Sequence, residues 1–209
     1  TGVQTCALPI YPDLAPNIWT HPGEIAGDGI DNDGNGFVDD ARGYDFAYHD
    51  ADPSDGTGHG THVAGTIAAV GDNGQGSVGV AWKASILPLK FLDDGGFGDM
   101  AGAVEALMYA EKTGARITSN SWGSAHYSQA LRDTLQASHA LHVCAAGNDG
   151  ADSDSTPVYP AGYDLDNSIA VAATDRTDQR APFSNHGQVS VDIAAPGAEI
   201  WSTLPGGGC

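Results

Sequence analysis

Strand-like and helix-like segments alternate through the middle of the chain, and this alternation restricts the possible fold more than any other feature. Short apolar runs predict strands at residues 84–92, 116–121, 141–146, 168–173 and 189–195. Segments of helical character lie at residues 59–70, 100–112 and 128–138. Strands that alternate with helices predict a mainly parallel sheet with helices on both faces. We therefore expect the α/β class and a three-layer αβα architecture in one domain.

Individual residues refine this expectation. Pro88 lies inside the first predicted strand and has no amide hydrogen, so this strand is not expected in a central, fully bonded position. Gly114 follows the helix predicted at 100–112 and suits its C-terminal cap. Residues 21–58 are rich in Gly, Asp, Asn and Pro without periodicity, which predicts an ordered loop region.

The composition is strongly acidic, with 27 Asp and Glu against 8 Lys and Arg and a formal net charge of −19. Nucleic acids and anionic membrane surfaces favour clustered Lys and Arg, so neither is expected as a partner. No run of 18 apolar residues occurs, and we predict no membrane span. Repulsion among like charges opposes a compact state unless something screens it. Bound divalent cations would screen it, whereas a purely solubilising acidic surface is the alternative.

The first ten residues, TGVQTCALPI, differ from the sequence that follows. They resemble the translation of a sequencing-library adaptor, so we interpret residues 1–10 as an artefact and place the native domain at 11–209. The three cysteines, Cys6, Cys144 and Cys209, form no evident disulfide framework. Cys144 lies in an apolar run and is predicted to be a small buried residue.

A histidine precedes a run of small residues in the segment GHGTHVAG at 58–65. Such a residue, His59, can stand at the start of a helix with its ring in a cleft. His59 and His62 are three residues apart and could instead bind a metal, although no third ligand is evident. A hydrogen-bonded structural role is a further alternative, and it suits His62 better.

Two other segments follow predicted strands directly. The segment AAGNDG at 145–150 places the Asn148 amide at the carboxyl edge of a parallel sheet, where α/β proteins bind ligands. An amide there can donate to a developing oxyanion, although an ordinary Asn-Asp-Gly turn is the alternative. The segment SWG at 121–123 offers an exposed backbone that could pair with an extended peptide.

Taken in order, HGTHVAG, SWG and AAGN resemble the motifs of the subtilisin-like (subtilase) serine peptidases. The resemblance continues through YPA at 159–161, DQRAPFS at 178–184 and APG at 195–197, and covers nearly all of residues 11–205. It implies a serine endopeptidase that is secreted, monomeric and active on polypeptides through an acyl-enzyme.

The resemblance also assigns roles to residues. It implies that His59 is the general base and that Asn148 stabilises the tetrahedral oxyanion. The residues expected to hold the substrate backbone are Ser121, Trp122 and Gly123. Those expected to line the specificity pocket are Ala145, Ala146 and Gly147.

Two catalytic side chains of that family have no counterpart here. The position of the catalytic Asp falls on Gln4, within the adaptor-like segment, and the 209 residues contain no Gly-Thr-Ser-Met nucleophile motif. The helix that carries the nucleophile is missing as well, so we expect an incomplete fold and no activity from this chain alone. We interpret the chain as part of an active peptidase. The alternative is a non-catalytic calcium- or peptide-binding module derived from the fold.

The acidic segment GDGIDNDGNGFVDD at 27–40 has the alternating pattern of a Ca²⁺-binding loop. The predicted ligands are the side chains of Asp31, Asp33 and Asn35 and the carbonyl of Phe37, completed by Asp28, Asp39 or Asp40. Arg42 occupies the position where an EF-hand has a bidentate Glu, so this is not an EF-hand. A turn-rich acidic loop without an ion is the alternative.

The family resemblance implies a second Ca²⁺ site. Its ligands would be the side chains of Asp13 and Asn73 with the carbonyls of Val70, Gln75 and Ser77. A third, weaker candidate site consists of Asp45, Asp50 and Asp52. Calcium is thus the expected cofactor.

Overall fold

The computed structural model describes the backbone of Gly2–Gln4 and residues 13–206, which form two compact units. Unit 1 comprises Thr1–Ala115 and Trp201–Cys209, and unit 2 comprises Arg116–Ile200. Cys6 and Cys209 lie outside the described residues. No helix in the described part of the chain is long and apolar enough to cross a bilayer.

The described residues of unit 1 form three parallel strands and two α-helices. The strands are β1 (Gly2–Gln4), β2 (Tyr44–Asp45) and β3 (Ile86–Lys90), in the order β2-β3-β1. The helices are α1 (His59–Ala68) and α2 (Met100–Lys112). Strand β1 falls within the segment interpreted as an artefact. Because backbone groups alone form its ladder, this pairing gives no information on the origin of residues 1–10.

The expectation for Pro88 was wrong, since β3 lies between β1 and β2. Strand β2 is only two residues long and aligns with Leu89 and Lys90. Pairing on that side therefore begins beyond Pro88 and does not require its amide hydrogen.

Helix α1 packs through small residues. Ala64 and Ala68 are buried in a cluster with Leu14 and Ile86. Gly65 has no room for a side chain, because a Cβ there would lie 2.2 Å from Thr203 Oγ1. The buried residues of α1 are all small, and this allows the helix to approach its neighbours closely.

Caps define the ends of α2. The Asp99 carboxylate accepts a hydrogen bond from the Gly102 amide at 2.8 Å, as an N-cap residue does. Gly114, with a φ of +75°, follows the C-cap residue Thr113. The predicted glycine cap is therefore confirmed.

Unit 2 is a parallel sheet of four strands with one α-helix. Its strands are β4 (Ile117–Asn120), β5 (Leu141–Ala145), β6 (Ser168–Thr174) and β7 (Ile193–Pro196), in the order β4-β5-β6-β7. Helix α3 (Gln129–Ala137) buries Leu131 and Leu135 completely. The side-chain amide of Asn167 donates to the carbonyls of Leu135 and Ser138, which caps the end of this helix.

The last strand starts later than the sequence predicts. Residues 189–192 precede β7 as a loop, although an apolar run suggested a strand from residue 189. The amides of Val189 and Ser190 donate to the carboxylate of Asp154 instead of to a neighbouring strand. These amides are therefore not available for strand pairing, and β7 begins only at Ile193.

Candidate active site

His59 is the first residue of α1, at the start of the helix as the sequence predicts. The N-cap residue Gly58 has a φ of +85° and no side chain with which to cap the helix. Asp55 supplies the missing acceptors. Its Oδ2 accepts from the Thr61 amide at 2.8 Å and from Thr61 Oγ1 at 2.6 Å, while its Oδ1 accepts from the Gly58 amide at 2.8 Å.

The surroundings of His59 favour its neutral form. Neighbouring protein atoms remove part of the hydration of the His59 ring, and this desolvation lowers the pKa of His59. The negative charge of Asp55 opposes this effect, and His62 adds to it. A general base must be unprotonated to accept a proton, so the lowered pKa suits that role near neutral pH.

Two hydroxyl groups hold the first turns of α1 from a distant part of the chain. Ser202 Oγ donates to the His62 carbonyl at 2.7 Å, and Thr203 Oγ1 donates to the Thr61 carbonyl at 2.8 Å. Sequence reasoning missed both residues, because 140 or more positions separate the partners.

The alternative that His59 and His62 form a metal site gains no support. Within the described residues, the one group of three or more potential metal-ligating side chains consists of Glu24, Asp31 and Asp33. Neither histidine belongs to it.

In unit 2, the carboxyl ends of the four strands surround a cavity of about 240 Å³. Ser121 follows β4, and Gly147 and Asn148 follow β5, so parallel pairing places these loops at one edge. The residues predicted for substrate and oxyanion binding that line the cavity are Ser121, Ala145, Ala146, Gly147 and Asn148. The structure thus brings these segments together at one cavity, while their roles in substrate and oxyanion binding stay predictions.

Trp122 and Gly123 do not line this cavity. Gly123 lies against Val158, where a Cβ would come within 2.6 Å of Val158 Cγ1. The next residue, Ser124, forms an antiparallel bridge with Tyr159. The SWG segment therefore continues β4 into a second, short pairing within unit 2.

Asn185 fixes the turn that carries Asn148. Its fully buried side chain accepts hydrogen bonds at Oδ1 from the amides of Asp149 (2.9 Å) and Ala151 (3.1 Å). The backbone amide of Asn185 donates to the Gly147 carbonyl at 3.0 Å. Gly147 has a φ of +115°, and a Cβ there would lie 2.3 Å from Asn185 Nδ2. Sequence reasoning missed Asn185, which lies in an irregular loop without periodic signal.

The acidic loop places Asp31 and Asp33 beside Glu24, and ligand oxygens of the three lie within 4.8 Å of one another. Glu24 Oε1 accepts from the amides of Asn32 and Asp33, while its buried Oε2 has no hydrogen-bond partner in the described part of the chain. Hydrogen bonds, the strongest from the Gly36 amide, lower the pKa of Asp31 and keep it ionised. Sequence reasoning missed Glu24 because it precedes the alternating pattern.

Other predicted ligands of this loop hold the backbone. Asp39 accepts from the amides of Gly27, Asp28 and Gly29, and Asp28 Oδ1 accepts from the Ile30 amide. Asp39 and Asp28 thus use their carboxylates on turns, as an ion-free loop would also do.

Asn35, Phe37 and Asp40 lie where the loop meets α2. Asn35 Nδ2 donates to Asp40 Oδ2 at 2.9 Å, and the Phe37 amide donates to Asn35 Oδ1 at 2.7 Å. The Phe37 ring makes edge contacts with Tyr44, Phe46 and Tyr109, and the Tyr109 hydroxyl donates to Asp40 Oδ2 at 2.5 Å. Asp40 is fully buried, and none of the residues that the structure describes forms a hydrogen bond to its Oδ1.

The second predicted calcium site is assembled around Asp13, which is fully buried. Asp13 Oδ1 accepts from Asn73 Nδ2 at 2.5 Å, and Oδ2 accepts from the Ser77 amide at 3.1 Å. The Asp13 carbonyl accepts from the Val70 amide, and the Gln75 amide donates to Asn73 Oδ1. The structure brings these five residues together, whereas their role toward a metal stays a prediction.

The third candidate trio is not gathered as a set of ligands. Asp45 Oδ2 forms a buried ion pair with Lys90 Nζ at 2.8 Å, and its Oδ1 accepts from the Ala47 amide. Asp50 and Asp52 accept hydrogen bonds from nearby amides in the following turn. Because Lys90 already neutralises Asp45, this carboxylate does not need a cation.

The chain matches the subtilase family (peptidase S8) over residues 1–208. Thermitase of Thermoactinomyces vulgaris is 42% identical over 166 residues, 78% of this chain and 57% of thermitase. Subtilisin Savinase of Lederbergia lenta is 40% identical over 167 residues, 78% of this chain and 60% of that protein.

Solved structures show the same fold. The crystal structure of a cold-adapted subtilisin-like serine proteinase has a TM-score of 0.77 and 28% identity, covering 99% of this chain and 66% of that chain. A protease from Pseudoalteromonas arctica has a TM-score of 0.74 and 25% identity, covering 94% and 62%. The chain thus has the α/β, subtilisin-like fold, and it spans less than two thirds of these relatives. It belongs to the subtilase family of serine peptidases.

We predict that Asn185→Ala destabilises the turn that carries Asn148. The substitution removes the acceptor of two amides, and such losses cost about 1–3 kcal/mol when the groups stay buried. Chemical unfolding measures the cost, and hydrogen exchange of the Asp149 and Ala151 amides locates it. Asn148→Ala is the matched control, because this exposed side chain should change stability by no more than about 0.5 kcal/mol. Unchanged exchange at both amides in Asn185→Ala would contradict the assignment.

Proposed function

We propose that this chain is the greater part of the catalytic domain of a secreted serine endopeptidase that cleaves polypeptides as a monomer. The observation that carries the proposal is the cavity at the carboxyl edge of β4–β7, lined by Ser121 and residues 145–148. Family membership supports the same chemistry. The net charge of −19 argues against polyanionic partners and is compatible with an extracellular protein.

Each motif then has a step in acyl transfer. His59 takes the proton from a serine hydroxyl as its oxygen attacks the scissile carbonyl, and later gives that proton to the leaving amine. Asn148 donates a hydrogen bond to the oxyanion formed in the attack. Residues 121–123 would pair with the backbone of the substrate peptide. Residues 145–147 would face the side chain of the substrate residue that precedes the cleaved bond. Water then attacks the acyl group, and His59 takes the proton of this water and returns it to the departing serine oxygen.

The serine and the carboxylate partner of His59 are not supplied by these 209 residues. No Gly-Thr-Ser-Met motif is present, and Gln4 occupies the expected Asp position. Loss of the carboxylate alone costs about four orders of magnitude in rate in a related triad. We therefore propose that the 209-residue chain has no hydrolase activity by itself.

Sequencing the source DNA on both sides of this reading frame tests the proposal. We expect an Asp codon at the position of Gln4 and a Gly-Thr-Ser-Met-like motif downstream. The product of the uninterrupted frame should hydrolyse a denatured protein and lose this activity to a serine-directed phosphonate but not to a zinc chelator. The same sequence decides whether residues 1–10 are an artefact.

The contrary result is equally clear. An uninterrupted gene without either motif, whose product binds calcium or peptide but cleaves nothing, would replace the peptidase by a non-catalytic module. Inhibition by a zinc chelator alone would point to a metal-dependent hydrolase using His59 and His62.

Calcium is the cofactor that we propose for both assembled acidic sites. Buried carboxylate oxygens without partners, Glu24 Oε2 and Asp40 Oδ1, are costly unless a cation lies nearby. Oxygen-only ligand sets such as Glu24, Asp31 and Asp33 suit Ca²⁺. At the second site, the described donors to the fully buried carboxylate of Asp13, from Asn73 and Ser77, are neutral. A bound ion would neutralise these carboxylates and hold the long loops in place.

We predict that EDTA lowers the melting temperature of the protein. Binding at a hundredfold excess over Kd stabilises a fold by about 2.7 kcal/mol, which corresponds to roughly 5–10 °C for a domain of this size. Asp31→Asn should reduce the calcium-dependent shift, whereas Asp133→Asn on the exposed side of α3 should leave it intact. Identical melting curves with calcium and with EDTA would remove calcium from the account.

A further inference from the structure

The junction between the loop before α1 and the helix itself is organised by one carboxylate. Asp55 accepts five described hydrogen bonds here from backbone amides and hydroxyls. Their donors are the amides of Thr57 (2.9 Å), Gly58 (2.8 Å) and Thr61 (2.8 Å) and the hydroxyls of Thr57 (3.1 Å) and Thr61 (2.6 Å). Desolvation raises the pKa of Asp55, but these hydrogen bonds outweigh it and leave the pKa below its usual value. The side chain is therefore ionised at neutral pH.

This carboxylate does the work that the N-cap residue cannot do. Gly58 has no side chain to cap the helix, and the Thr61 amide in the first turn donates to Asp55 instead, while the His59 amide donates to Thr57 Oγ1. His59 lies within the segment spanned by the Asp55 hydrogen bonds, between Gly58 and Thr61. The orientation of the backbone that carries the imidazole thus depends on Asp55.

Asp55 also provides the negative charge that acts on the His59 ring. The start of a helix carries partial positive charge, and His62 on the same helix disfavours the imidazolium further. The described segment 201–206, which hydrogen-bonds to α1, contains no titratable side chain. Among the described groups that affect His59, Asp55 is therefore the one that favours its protonated form.

We propose that Asp55 is a positioning residue for His59, which fixes the loop–helix junction that carries this residue and supplies the anionic charge that stabilises the imidazolium. The inference rests on the proposed catalytic role of His59. A base that accepts a proton during the reaction needs such stabilisation at the moment when it becomes positively charged. Asp55 acts through the backbone and through its field, since its oxygens are occupied by the helix start.

The test is an NMR titration of His59 in the 209-residue chain, with Asp55→Asn compared with the unmodified protein. Removing the charge should shift the midpoint of His59 to lower pH. Asp52→Asn is the matched control, because Asp52 is an exposed acidic residue three positions earlier that bonds to Ser54 rather than to α1. An unchanged His59 midpoint in Asp55→Asn would overturn the inference.

A second variant separates the electrostatic effect of Asp55 on His59 from its structural effect on α1. Thr61→Val removes one hydrogen bond to Asp55 and keeps its charge, so the His59 midpoint should stay close to that of the unmodified chain. A midpoint that falls equally in Thr61→Val and Asp55→Asn would show that only local structure matters. Should Asp55→Asn not fold, Asp55→Ser keeps one acceptor oxygen without charge and allows the same comparison.

Activity distinguishes this inference from the proposed function. In the product of the uninterrupted frame, Asp55→Asn should lower kcat with little change in KM, because both Asp55 oxygens are engaged by donors at the start of the helix. An inactive product with a normal titration shift would contradict the peptidase proposal alone, whereas an active product without the shift would contradict only the role of Asp55.

Discussion

Parallel strand pairing is the constraint on which the site in unit 2 depends. Strands β4–β7 all run in one direction, so the loops that follow them emerge at one edge of the sheet. Short side chains at these ends leave an open cavity, and the Asn148 turn stands beside it. Asn185 holds that turn by three hydrogen bonds, which makes it a preorganised feature rather than a mobile one.

Carboxylates that accept backbone amides recur throughout the loops of this acidic protein. Asp31, Asp39, Asp55 and Asp154 each bind two or more amides in segments that have no regular secondary structure. The excess of negative charge is thus partly a way of ordering loops, in addition to making the surface polar. A buried carboxylate oxygen that receives no donor from the described residues, such as Glu24 Oε2, lacks this compensation, and a cation is therefore proposed beside it.

The sequence predicted the elements whose signals are local. The end of α2 agreed with the prediction from Gly114, because a C-terminal glycine acts within a few residues of the helix end. Motif order also indicated the family correctly. The late start of β7 could not be predicted, since it depends on the distant carboxylate of Asp154.

The candidate site was predictable in its motifs but not in the residues that support them. His59 and Asn148 stand out because small residues and glycines surround them in the sequence. Asn185, Glu24 and Ser202 carry no such signal, because each acts on a segment remote from it in the chain or outside the recognised pattern. Long-range hydrogen bonds leave no periodicity, and only coordinates reveal them.

The measurement that tests the central claim most directly is the steady-state kinetics of Asn148→Leu in the product of the uninterrupted reading frame. Leucine preserves the approximate size of the side chain and removes its hydrogen-bond donor. If Asn148 stabilises the oxyanion, kcat falls by about 100- to 1,000-fold, the range measured for loss of such a donor in subtilisin, while KM changes little. An unchanged kcat, or a loss confined to KM, would contradict the account.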